Sequence, residues 1–224
     1  MRIDRGTTRK LVWAILFGGA FAFVESSIVI YLRALYYPEG FSLPLKTLPA
    51  PMVTVELIRE ASTILMLTAV AMIAGRKGWP RFGYFLLMFG VWDLLFYAWL
   101  RIMIGWPGSL TEWDILFLIP LPWIGPVIAP ALVALLMTVC GGMIVARCAA
   151  ERHFRPGVLS WLLAIPGAAV LLFSFMADTD ATLRGAAPHP YRYELLGLSL
   201  VAFLAAFVLA CRAPLHNRDG HGKR

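Results

Sequence analysis

Six long apolar runs, separated by short polar or proline-rich breaks, limit what this chain can fold into. They lie at about residues 11–32, 53–74, 82–104, 127–146, 157–177 and 192–211. A helix crossing a bilayer needs about 20 predominantly apolar residues, and each run is about that long. Of the 224 residues, 60% are hydrophobic and 15% charged, where soluble domains carry roughly 25% charged residues. A soluble fold of this length has too small an interior to bury so much apolar surface. The runs are continuous rather than alternating, which argues against membrane β-strands. The expectation is therefore an all-α polytopic membrane protein: one domain over residues 1–224 with six transmembrane helices. Residues 212–224 read as a disordered basic tail.

Charge placement predicts the orientation. Of twenty Lys and Arg residues, fourteen fall in four short segments. These are Arg2, Arg5, Arg9 and Lys10; Arg76, Lys77 and Arg81; Arg147, Arg152 and Arg155; and Arg212, Arg218, Lys223 and Arg224. The alternate loops carry mainly Lys46 and Arg184. That asymmetry follows the positive-inside rule, so both termini are expected in the cytoplasm and the chain in the cell inner (cytoplasmic) membrane. It also accounts for the net charge of +7 without nucleic acid as a partner. The first run is too long for a signal peptide, contains Glu25 and has no small-x-small cleavage site after it, so it reads as a mature helix.

The segment before the fourth span is interrupted. Pro120, Pro122, Gly125, Pro126 and Pro130 follow one another closely. Proline removes a backbone donor and disturbs the preceding helical turn. A short surface helix followed by the span is preferred to a broken span, with Trp123 and the prolines as a lid or wall. Pro166-Gly167 predicts a kink in the fifth span. Gly18-Gly19 and Gly141-Gly142 read as points where helices pack closely. Glu25…Tyr31-Leu32-Arg33 and Asp93…Trp99-Leu100-Arg101 form a weak internal repeat, each followed by an aromatic, proline and glycine turn.

Acidic side chains inside these spans carry the functional expectation. Asp93 stands near the middle of the third span, where an unpaired charge costs several kcal/mol. Glu25 lies in the first span, Glu56 and Glu60 in the second, and Asp114 just past the third. In the predicted topology they share the outer half of the bilayer. Glu56 and Glu60 are four residues apart, with Arg59 beside them, so they repel unless a proton, an arginine or a cation intervenes. We therefore expect Glu25, Glu56, Glu60 and Asp93 to act as catalytic groups in one outer-leaflet cavity. Arg59, Tyr97, Arg101, Asp114, Trp92 and Trp123 are the expected substrate-binding residues.

This pattern points to an integral membrane enzyme doing acid–base chemistry on a lipid or isoprenoid-like substrate. A proton- or cation-coupled small transporter and a structural subunit of a membrane complex are the alternatives. Membrane lipids, an amphipathic small molecule and an oligomer or complex partner are the expected contacts. If the carboxylates of Glu25, Glu56, Glu60 and Asp93 hold a metal, their oxygens suit Mg²⁺, Ca²⁺ or Mn²⁺. His153, His189, His216 and His221 all lie in loops or tail, which argues against haem ligation. No nucleotide-binding fingerprint is present. Cys140, Cys148 and Cys211 have no metal-ligand spacing and read as small apolar fillers.

Overall fold

Each apolar run folds as a helix, because a backbone in lipid must satisfy its own hydrogen bonds. The computed structural model describes residues 4–39, 49–119, 121–152, 154–180, 184, 186 and 188–212. Among the described residues the long helices are α1 (Arg5–Tyr36), α2 (Ala50–Ala74), α3 (Trp79–Ile104), α4 (Ile128–Ala149), α5 (Val158–Met176) and α6 (Tyr193–Arg212). All six are long and apolar enough to cross a membrane, which makes the chain an integral multi-pass membrane protein. The basic tail past Arg212, most of the loop between α1 and α2, and His153, His216 and His221 lie outside the described residues.

The basic segments meet at one end of the bundle. Lys10 Nζ donates to the Ala74 carbonyl at 3.0 Å, joining the start of α1 to the end of α2. Trp79, at the start of α3, meets Phe154 of the α4–α5 turn edge to face. The Arg155 N–H donates to the Ala210 carbonyl in the last turns of α6 at 3.1 Å. Successive helices therefore run up and down, as short connections require.

Helix α3 is the centre of the fold and packs against α1, α2 and α4. Its contact with α4 is backbone on backbone. A Cβ at Gly90 would stand 2.4 Å from the Ala134 carbonyl oxygen, and one at Gly141 would stand 2.5 Å from the Leu87 nitrogen. Small residues allow this approach, and in lipid such van der Waals contact is a main source of helix association. Gly18 and Gly19 similarly meet Val91 and Leu95 of α3, whereas Gly142 faces open space. Helices α5 and α6 pair with each other and reach the remainder through α4 and the segment before it. Helix α5 continues through Pro166.

That segment corrects the expectation of a surface helix. Residues Trp113–Phe117 (β1) and Trp123–Pro126 (β2) form a two-stranded antiparallel hairpin. Asp114 faces Gly125 and Ile115 faces Ile124 across the ladder. The physical reason is local composition. Trp113, Ile115 and Phe117 alternate with their neighbours and are strand formers, while Pro122 and Pro126 flank or end a strand where no donor is required. The hairpin lies over the end of the bundle opposite the basic segments.

Candidate functional site

Polar side chains gather beneath this hairpin. The inward face of α2 repeats every three or four residues as Glu56, Glu60, Thr63, Leu67 and Ala71, all buried. Helix geometry puts such positions on one stripe. The two nearest the basic end are apolar, and the three nearest the hairpin are polar. Glu25 and Ser26 are the matching buried polar positions on α1.

Arg59 joins α1 to α2. Its Nη1 contacts Glu25 Oε2 as a close ion pair. Its Nε donates to Glu56 Oε2 at 2.9 Å, and its Nη2 lies 2.8 Å from the same oxygen. Thr63 Oγ1 donates to the other oxygen of Glu25 at 2.7 Å. Glu25 is therefore held on both oxygens, one by a charge and one by a hydroxyl. Planar guanidinium geometry suits this forked arrangement, which a lysine could not reproduce.

Glu60 does something else. Among the described residues no arginine lies within ion-pair distance of it; both its oxygens accept from the Leu118 N–H, at 2.9 and 3.1 Å. This ties α2 to the chain just past β1. A second tie joins α1 to the hairpin, where Arg33 Nη2 meets Asp114 Oδ1 at 3.1 Å. The Arg33 guanidinium also lies 3.7 Å over the Trp106 ring, a cation–π contact. Burial pushes the Asp114 carboxyl up to about 6, while Arg33, the Ile115 N–H and the Tyr97 hydroxyl pull it down.

Between these ties is a cavity of about 70 Å³, bounded by Glu25, Arg59, Glu60, Thr63, Trp92, Asp93 and Tyr97 and roofed by Ile115, Leu116 and Phe117. At roughly 30 Å³ of liquid volume per water, it accommodates two or three waters. Asp93 borders this space and has no hydrogen-bond or ion-pair partner among the described residues. The buried Trp92 Nε1 also lacks a partner there.

Three of the four expected catalytic acids, Glu25, Glu60 and Asp93, thus border one cavity, along with Arg59, Trp92 and Tyr97. Glu56 stands behind Arg59 and does not border it. Asp114 is on the roof strand. Arg101 lies apart: its Nη1 donates to the Gly105 and Pro107 carbonyls and closes the end of its own helix. Trp123 also lies apart, stacked 6.1 Å from Phe175 of α5. His189 pairs with Asp178 at 2.6 Å in an exposed loop. Thr63, Arg33 and the Leu118 N–H were not among the expected site residues. Thr63 had a sequence signal, since it falls on the Glu56–Glu60 stripe. The other two depend on the hairpin, which the proline cluster disguised.

Among the described residues, five carboxyl groups, Glu25, Glu56, Glu60, Asp93 and Asp114, face two guanidinium groups, Arg33 and Arg59. A buried cluster cannot keep that surplus negative charge uncompensated, so protons or a cation must balance it. Among the described residues, no three His, Cys, Asp or Glu side chains are arranged to hold a metal ion. Glu25, Glu56 and Glu60 are bonded to Arg59, Thr63 and the Leu118 N–H. Comparison of the chain with protein-family models, curated proteins and solved structures finds no match.

Proposed function

We propose that this protein is an enzyme of the cytoplasmic membrane, with its basic end in the cytoplasm. It carries out acid–base chemistry on a lipid or isoprenoid-like substrate at the cavity beneath the hairpin. One observation carries the reading: among the described residues, Asp93 borders a polar cavity inside an apolar bundle and has no partner, and the carboxyl groups around it outnumber the cations. A group so placed is available to give or take a proton. Arg59 and Tyr97 flank it and orient the polar part of the substrate. Arg59 is itself held in position by Glu25 and Glu56.

The cavity, at about 70 Å³, is far smaller than the roughly 300–1,000 Å³ of a typical ligand pocket. Substrate therefore enters when the hairpin lifts, which breaks the Glu60–Leu118 and Arg33–Asp114 ties. One-sided access favours an enzyme over the transporter alternative. Toward the basic end, Ala22, Leu67 and Met88 fill the space between α1, α2 and α3 and are fully buried, so a path through the bundle would require this core to open.

The test compares membranes from cells producing the wild-type chain, Asp93→Asn or neither, by untargeted lipid mass spectrometry. The reading expects at least one lipid species whose level follows the wild type alone. The variant must be equally abundant and equally heat-stable. Identical lipid profiles in wild-type and variant membranes refute it.

A further inference from the structure

A second, apolar space is remote from the acidic cavity. It is a cleft of about 360 Å³ between α3 and α4 on one side and α5 and α6 on the other, toward the basic end. Leu86, Met137, Cys140, Ala164, Phe203 and Phe207 form its walls, and Ser160 contributes a hydroxyl. Its volume falls in the range of small-molecule sites, roughly 300–1,000 Å³. Phe82 and Trp161 border it and are themselves 45% and 49% exposed, so it opens sideways toward the surrounding lipid.

Exposed basic residues adjoin the lining at the basic end. Phe154 and Pro156 both line the cleft, with the exposed Arg155 between them in sequence. The Arg155 N–H bonds to the carbonyl of Ala210, another lining residue, and exposed Arg212 lies two residues further along α6. Arg152 is exposed in the same turn, where Glu151 is the lone acid. Trp79 and Trp161 border the cleft at this level, with ring centroids 6.4 Å apart, and tryptophan favours the membrane–water interface. An apolar slot with exposed arginines next to its lining and tryptophans at the same end has the features that one class of bilayer molecule requires.

We propose that the cleft binds one anionic phospholipid, with an acyl chain between α3/α4 and α5/α6 and its phosphate at Arg155 and Arg212. An empty slot would leave the lining side chains without contact partners on one side, whereas a flexible chain restores them. Basic residues between helix ends select anionic headgroups. The site is separate from the acidic cavity and does not depend on its chemistry.

The test uses full-length protein in nanodiscs of phosphatidylcholine and phosphatidylglycerol, then extraction into mild detergent and native mass spectrometry. Wild type is expected to retain one phosphatidylglycerol in preference to phosphatidylcholine. An arginine near an anionic surface contributes about fivefold in binding, so Arg155→Gln with Arg212→Gln should lower that preference about 30-fold. These exposed substitutions leave the core intact. Ala164→Trp, which fills the slot, should abolish retention of either lipid while the melting temperature holds. The proposal fails if wild type retains no lipid, if the arginine variant keeps its preference, or if Ala164→Trp keeps its lipid. It also fails if the cleft is covered by a second copy of the chain, seen as a dimer that Ala164→Trp dissociates.

Discussion

Replacing Arg59 with methionine removes the one cation that α2 gives to both Glu25 and Glu56. Methionine has similar length and apolar bulk, so the loss is electrostatic more than steric. Removing one partner of a buried ion pair costs about 3–5 kcal/mol, because the other charge is left without compensation. The Arg59 side chain is 21% exposed, so water reaches part of it, and about 3 kcal/mol is the appropriate figure. For a soluble domain of comparable length, 1 kcal/mol moves the midpoint by about 2–4 °C, so a fall of about 6–12 °C is expected. The assay is thermal unfolding in nanodiscs, followed by tryptophan fluorescence. Adding Glu25→Gln should return part of the loss. The amide still accepts from Thr63, and one orphaned charge is gone, which gives a coupling of about 0.5–3 kcal/mol. A fall of less than about 2 °C, or strictly additive single variants, would refute the view that this cluster joins α1 to α2.

Two further outcomes follow from other parts of the bundle. Asp114 binds its proton more tightly when folded, with a value of about 6 against 3.8. Its contribution to stability is therefore greatest below about pH 4, declines as pH rises to about 6 and is flat above, by about 3 kcal/mol at most. Asp114→Asn should remove that slope from a melting series over this window, whatever it does to stability overall; an unchanged slope assigns the titration elsewhere. At the α3–α4 contact, Gly90→Ala would put a Cβ 2.3 Å from Thr138 Oγ1 and should cost about 1–3 kcal/mol by overpacking. Gly142→Ala, with nothing within 4 Å, should be neutral or stabilising by up to about 1 kcal/mol. Equal effects of the two substitutions would contradict the packing described for α3 and α4.

The six helices were legible without coordinates, because lipid makes continuous apolar length a sufficient signal for a helix. The two-sided distribution of arginines was equally plain, and their segments do gather at one end. The acidic stripe of α2 could be read from its spacing, since Glu56, Glu60 and Thr63 recur at the helical period. What the sequence could not distribute were the partners. Glu25 and Asp93 look alike along the chain, yet one is held on both oxygens and the other is left bordering the cavity. Arg33 and Arg101 occupy matching places in the weak repeat. One crosses to the hairpin, and the other closes its own helix.

The hairpin explains most of that difference. Residues 113–126 look like a damaged helix when read locally, because prolines forbid a helix more clearly than they specify its replacement. Only the tertiary structure turns this segment back over α1, α2 and α3 as a roof. Apolar length is a local property that each run carries by itself, and so the sequence alone determined the membrane-spanning architecture. The pairing of buried charges depends on which segments cross at the same depth, and that was decided only when the chain packed.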